Sequence, residues 1–251
     1  MMKKDEGKIV LISGSKGGCG QSFIGNCIGS YLAANTDKNI IIVDFNIGKT
    51  DSRIIYRTQD KNIRSLYDIK NMSGETDDAL LKKIVVNFGN SLNMIFPPLY
   101  FDNLKTVTFK SFTRILSSLK KHFDIILIDE PSVFGLSNNE NSIYEHIDKL
   151  LLVSLPDLVS LSNLNLIINQ LQDSMEYLNP KLIINKYNTK PSVSFALLNT
   201  ILKYPVEYFL PFDRDIEQLY LEKGPACIFK YNLKITRDLA AISDNLMKEL
   251  F

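Results

Sequence analysis

Ser13-Gly14-Ser15-Lys16-Gly17-Gly18-Cys19-Gly20-Gln21-Ser22 places four glycines within ten residues. The apolar run Lys8–Ile12 leads into this segment and a helical pattern leaves it. In that helix Phe23, Cys27 and Tyr31 form one i, i+4 row, and Ile24, Ile28 and Leu32 form the row beside it, so one broad face is apolar. A strand, a glycine loop and a helix N-terminus in succession make an anion site. Backbone N–H groups and the positive end of the helix dipole face the same point, and glycines let the chain approach closely. A tight turn with a purely structural role does not need so many glycines. The segment therefore predicts phosphate binding.

The rest of the chain fits an α/β fold. Short β-branched runs recur at Lys8–Ile12, Asn39–Phe45, Leu92–Phe96, Asp124–Asp129, Leu150–Leu155, Lys181–Asn185 and Val206–Leu210. They are apolar almost throughout, as strands buried on both faces are. Helical stripes at Phe109–Lys121 and Leu158–Leu178 lie between them, the second opened by Pro156-Asp157. The alternation predicts a mostly parallel, twisted sheet of about seven or eight strands with helices on both faces. Residues 53–90 are more polar. Asp60–Gly74 is expected to hold a short helix and a loop, and Thr76-Asp77-Asp78 to cap a helix over Ala79–Val86. With 251 residues, no Pro/Gly/Ser linker and no internal repeat, one domain spanning residues 1–251 is expected, without room for a further domain ahead of it.

Composition removes several classes of function. The chain has 29 Lys+Arg against 28 Asp+Glu, a net charge of +1, with 45% hydrophobic and 23% charged residues. Those values exclude a disordered chain and argue against a broad basic surface for DNA, leaving only a local patch open. The longest apolar runs are strand-length, well short of the ~20 residues that span a bilayer. Cys19, Cys27 and Cys227 have no metal-ligand spacing, so a cysteine-bound cluster is not expected, and the odd count fits a reduced, cytoplasmic protein. Cys19 and Cys27 read as small packing residues, and His122 and His146 as surface or satisfied ones.

Two phosphate ligands fit the loop spacing. Gly14-x-x-x-Gly18-x-Gly20, with Asp44 at the end of the next strand, is the pattern of a dinucleotide-binding dehydrogenase. Such an enzyme needs a Tyr-x-x-x-Lys on a helix. The one match, Tyr177-Leu178-Asn179-Pro180-Lys181, contains a proline and runs into a strand. The other reading is a P-loop. Lys16-Gly17-Gly18-Cys19-Gly20-Gln21-Ser22 resembles the deviant Walker A loop of MinD/ParA ATPases, Lys-Gly-Gly-x-Gly-Lys-[Ser/Thr], at every fixed position but one. Asn39–Gly48 resembles switch I of that family, and Phe123–Pro131 its Walker B and switch II. Leu155-Pro156-Asp157, Asn185-Lys186-Tyr187 and Pro211-Phe212-Asp213 follow in the family's order. Within the family the chain looks most like the CpaE/TadZ branch of Flp (tight-adherence) pilus assembly. The layout from Leu92–Pro98 to Lys120-Lys121-His122-Phe123-Asp124, the absent Walker lysine, and the pieces Leu210–Asp213 and Glu222–Pro225 carry that likeness.

The resemblance implies a single-domain P-loop NTPase fold with ATP and Mg²⁺ as ligands. Gly17, Gly18, Cys19, Gly20, Gln21, Ser22 and Phe23 would surround the phosphates. Ser22 and Asp129 would hold Mg²⁺. Asn185, Lys186, Pro211 and Asp213 would meet the base. Lys16 would reach the partner's phosphates across a nucleotide-dependent homodimer, with Asp44 and Asn46 beside the attacking water. Two positions depart from the family. Gln21 keeps a donor but lacks the lysine's charge, and Asn46 can orient water but cannot accept a proton. Hydrolysis is therefore expected to suffer more than binding. The implied role is a localisation or scaffold factor for a pilus or secretion machine, with assembly proteins as partners. Its expected place is the cytoplasm, at a pole or beside the membrane through those partners. The alternatives are an active ATPase positioning septum, flagella or DNA, and an interaction module that has lost its nucleotide. The C-terminal stripe Ile235, Leu239, Ile242 and Leu246 has a mixed-charge opposite face, so it reads as core packing rather than a basic membrane helix.

Overall fold

The sheet assembles from runs too apolar to leave either face in water. In a computed structural model β1 (Lys8–Gly14), β2 (Ile40–Asp44), β4 (Leu92–Ile95), β5 (Ile125–Glu130), β8 (Lys149–Ser154), β9 (Lys181–Ile184) and β10 (Val206–Phe209) lie in a single eight-stranded sheet. The eighth strand is β3 (Val86–Asn87), and the order is β10-β9-β8-β1-β5-β2-β4-β3. Every pairing is parallel except β3 with β4. All seven expected strands are present, with ends shifted by a residue or two. The residues described are 6–46, 49–58, 65, 77–97, 109–130, 137–138, 141–174, 178–189 and 193–251.

Successive strand residues point to opposite faces, which builds two cores. Ile9, Leu11, Ile41, Val43, Ile126, Ile128 and Leu152 pack under α3 (Asp77–Ile84), α4 (Phe109–His122), α5 (Leu158–Ser174) and α6 (Phe195–Ile201). Val10, Ile12, Ile40, Ile42, Leu127 and Val153 pack under α1 (Gln21–Asn35), α7 (Arg214–Lys223) and α8 (Lys234–Leu250). In α1 the expected apolar face is buried: Ile24, Cys27, Ile28 and Leu32 are fully covered, with Phe23 and Tyr31 at the edge. Gly29 admits a close approach there, because a Cβ would sit 2.7 Å from Ile42 Cδ1. In α8, Ile235, Leu239, Ile242 and Leu246 are all buried, as expected of core packing.

Several expectations need adjustment or lie elsewhere. The stripe Leu158–Leu178 ends as a helix at Ser174, and Leu178 is a buried, non-helical residue ahead of Pro180. A short α2 (Asp51–Ile55) and the two-stranded β6 (Ser137–Asn138) and β7 (Asn141–Ser142) carried no periodic signal. The helix expected in Asp60–Gly74 falls outside the described residues apart from Ser65, which bridges to Phe96. Thr76, Ile47 and Gly48 of the expected switch I, Pro98, Pro131 and Tyr177 also lie outside them. His122 is satisfied by Asp78 Oδ1 at 2.9 Å.

Candidate functional site: a glycine loop, two buried carboxylates and a base-sized cavity

The loop follows directly from β1. Gly18 (φ 81°) and Gly20 (φ 92°) hold left-handed backbone that side-chain-bearing residues avoid. At Gly20 a Cβ would also lie 2.3 Å from Asn185 Nδ2. Both ends of the Asn185 amide bond to backbone. Its Nδ2 donates to Cys19 O at 2.9 Å, and its Oδ1 accepts from Lys186 N at 2.9 Å. Asn185 therefore fastens the end of β9 to the glycine loop. The Gln21 side chain turns inward, with 6% exposure. Its Nε2 donates to Glu130 O at 2.8 Å, and its Oε1 accepts from Cys19 Sγ at 3.4 Å. The sequence reading gave Gln21 a phosphate-facing donor. In the structure that donor braces α1 against the end of β5 instead.

The register of β2, β5 and β1 brings two acids together. Asp44 pairs with Asp129 across neighbouring strands, beside Ser22 in the first turn of α1. Both carboxylates are 4% exposed. Asn46 bridges them: its Nδ2 lies 2.8 Å from Asp44 Oδ1, 2.7 Å from Asp129 Oδ2 and 3.4 Å from Ser22 Oγ. Burial, and then the charge of Asp44, push Asp129 up to about 7, against the pull of Ser22, Gln21 and Asn46 facing it. Asp44 is also raised, chiefly by burial, with Asp51 adding to the effect. Glu130, next along β5, is pushed up to about 8 by burial and by Asp129. Asp129 Oδ1 and Glu130 Oε2 make no hydrogen bond among the described residues.

Lys16 projects to the other side of the loop and pairs with Asp157 Oδ2 at 2.9 Å. Asp157 also caps α5 by accepting from Ser160 N (2.9 Å) and Ser160 Oγ (2.7 Å). Burial raises its carboxyl, but the bonds from Ser160 and Lys16 outweigh that and hold it below the usual range.

Beside the loop opens a cavity of about 250 Å³. Its walls include Gly20, Phe23, Asn185, Lys186, Pro211 and Asp213, six residues that the sequence singled out from three separate segments. The remaining wall is Phe212, Ile235 of α8, and α7, with Tyr220 set edge-on to Phe23 at 4.9 Å between centroids. Asp213 Oδ1 caps α7 by accepting from Asp215 N and Ile216 N. A second cavity of about 250 Å³ shares Phe23, Tyr220 and Leu221 and runs to Ser22, Asp44, Asn46, Asp51 and Ser52. Tyr220, Phe212, Asp51 and Ser52 escaped the sequence reading. The one available signal was position: Phe212 inside the quoted Pro-Phe-Asp, and Asp51-Ser52 downstream of Asp44.

The AAA domain family AAA_31 matches residues 7–184, which run from β1 to the end of β9. The chain belongs to that family. It is 24% identical over 185 residues to the septum site-determining protein MinD of Thermotoga maritima, covering 72% of this chain and 65% of that protein. It thus spans just under two thirds of that relative's length. The ParA family ATPase from Chlorobium tepidum superposes with a TM-score of 0.80 at 20% identity, covering 94% of this chain and 98% of that one. MinD from Pyrococcus horikoshii, solved with Mg-ADP, superposes with a TM-score of 0.77 at 19% identity, covering 96% of each chain. The fold is the MinD/ParA P-loop fold.

Within this AAA domain, the residues present fit a divalent cation. Asp129 Oδ1 is a buried oxygen without a partner, beside a second buried carboxylate and the Ser22 hydroxyl. Hard oxygen donors of this kind suit Mg²⁺. The cation would be held by Ser22 and Asp129, with Asp44 nearby, and would supply charge neutralisation to the phosphates of a bound nucleotide. Among the described residues no group of three or more His, Cys, Asp or Glu is placed to hold a metal, and no helix is long and apolar enough to cross a membrane.

Proposed function

We propose that this chain is an ATP-binding protein of the deviant Walker A kind with an attenuated catalytic site. It dimerises on Mg·ATP and serves as a localisation or scaffold factor for pilus or secretion assembly, in the manner of the CpaE/TadZ branch. The observation that carries this reading is the condition of the two substituted positions. The Gln21 and Asn46 amides lie at the glycine loop and the acid pair, and both are spent on protein acceptors. Backbone amides of Gly17, Gly18, Cys19 and Gly20 remain to receive phosphates, and Ser22 and Asp129 to hold Mg²⁺. The cavity walled by Phe23, Asn185, Lys186, Pro211 and Asp213 has room for the base. Nucleotide binding therefore needs none of the lost charges. Rapid hydrolysis does, because no lysine stands at residue 21 and residue 46 cannot take a proton from water. Lys16 would exchange Asp157 for the phosphates of a second subunit. The setting is cytoplasmic, with partner proteins supplying any polar or membrane-side position.

The test is a pair of measurements on the purified chain. Mg·ATP at about 100 times its Kd should raise the unfolding free energy by about 2.7 kcal/mol. Steady-state phosphate release should stay far below that of an active MinD. A stabilised protein with fast release would favour a second reading, an active ATPase that positions septum, flagella or DNA. The MinD similarity supports that alternative. No stabilisation at millimolar ATP would instead indicate a nucleotide-free interaction module.

A further inference from the structure

We infer that the Asn46 side chain is a built-in plug of the cation site, which a divalent metal must expel to bind. The inference rests on the proposal that Ser22 and Asp129 hold the cation, with Asp44 beside them. An Asn amide nitrogen carries two hydrogens, enough for two strong hydrogen bonds. Asn46 Nδ2 directs them at Asp44 Oδ1 (2.8 Å) and Asp129 Oδ2 (2.7 Å), and Ser22 Oγ is its third neighbour at 3.4 Å. Two of these oxygens belong to the side chains that would hold the metal, and the third to the acid beside them. The donor end must face them, because the amide oxygen would be repelled by two carboxylates. The backbone tightens the arrangement: Asn46 N also donates to Asp44 Oδ1 at 2.8 Å.

An amide in this position does part of a cation's work. It joins two buried carboxylates through short hydrogen bonds, which strengthen as the acids ionise. It is neutral, however, and leaves Asp129 Oδ1 without a partner. Metal and amide therefore compete for the same carboxylates. A metal that wins must push the Asn46 side chain aside, within the cavity that Asp51 and Ser52 also line. An aspartate here would repel the two acids and invite the metal; the asparagine holds the site shut until the metal arrives.

The competing possibility is that Asn46 turns its carbonyl to the metal and helps to hold it. The two differ in the sign of one measurement. Mn²⁺ alone, without nucleotide, is titrated into the full chain and followed by electron paramagnetic resonance. With Asn46 as a plug, Asn46→Ala binds Mn²⁺ about tenfold more tightly than the wild type. Affinity that falls or stays the same in Asn46→Ala, with wild-type binding intact, overturns the plug and leaves the metal site standing. Mn²⁺ bound by neither protein, or bound equally well by Asp129→Asn, overturns the metal site and the plug with it. Asn46→Ser serves if the alanine variant does not fold, since its hydroxyl is too short to bridge both acids.

Discussion

Two side chains separate this site from the one its resemblance implies, and they meet on a single carboxylate. Gln21 and Asn46 both face Asp129, the first where the family has a lysine and the second where it has an acid. Exchanging Lys/Asp for Gln/Asn removes one positive and one negative charge, so the buried cluster keeps the same total. Reverting one position alone unbalances it. Asn46→Asp would put a third carboxylate against two that are 4% exposed, and should cost about 1–3 kcal/mol without metal. Gln21→Lys supplies the missing counter-charge, so in the double variant most of that cost should disappear. Urea unfolding of the four proteins in chelator checks this through the coupling energy, about 0.5–3 kcal/mol for residues sharing a network; additive changes would show the sites to be independent. The same cluster sets a pH dependence. Asp129 and Glu130 bind protons in the native protein, up to about 7 and about 8, that the unfolded chain has already released. Their contribution is complete below the ordinary carboxylate range and is lost as pH rises through those native values. Stability should thus fall between about pH 5 and pH 8, by at most about 1.4 kcal/mol per pH unit for each carboxyl. Glu130→Gln should flatten the upper part of that decline. A wild-type stability that is level or rising through this window would contradict the assignment.

At the scale of elements, α5 shows how a loop motif can serve packing and site at once. Asp157 is its N-cap and the partner of Lys16. A cap is worth about 1 kcal/mol, whereas a pair whose side chains are 33% and 31% exposed adds little. Asp157→Ala should therefore lower the unfolding free energy by about 1 kcal/mol and Lys16→Ala by less than half of that; chemical denaturation giving the opposite order would make the ion pair the dominant contact. The sequence places Pro156-Asp157 at the opening of this helix, but gives no sign that Asp157 also meets Lys16. Legibility followed a physical rule elsewhere too. The seven long strands were readable because burial on both faces demands continuous apolar runs. The two-residue strands Val86–Asn87, Ser137–Asn138 and Asn141–Ser142 are too short to carry a period. At the site the glycine loop was readable because its backbone demands are local, whereas Asn185, Lys186, Pro211 and Asp213 were singled out through the family resemblance. Tyr220 was not, since only the packing of α7 against Phe23 brings it to the cavity.

For the whole molecule, the question is what keeps the strand ends in register so that loops from distant parts of the chain converge. The answer lies in the helix layer on the α1 side. Helix α8 packs along α1, and α1 begins at the glycine loop. Its C-terminal end is tied to the sheet by Glu249, which bridges Lys149 at the start of β8 and Lys181 at the start of β9. The buried stripe Ile235, Leu239, Ile242 and Leu246 then fixes α1 against β2 and β5, whose opposite ends carry Asp44 and Asp129. A defect in α8 should therefore be felt globally although the helix is remote from the acids. Leu239 is fully covered, so Leu239→Ala removes transfer energy and opens a cavity, a loss of about 2–5 kcal/mol. Leu166 on α5 is 60% exposed, and Leu166→Ala should stay within about 0.5 kcal/mol of the wild type. If the sheet and both helix layers unfold as one unit, the Leu239→Ala shift will appear equally in far-ultraviolet circular dichroism and in the exchange of β2 and β5 amides. A shift confined to α8 amides would instead make that helix a separately melting unit, and convergence at the site would then have to rest on β1, β2 and β5 alone.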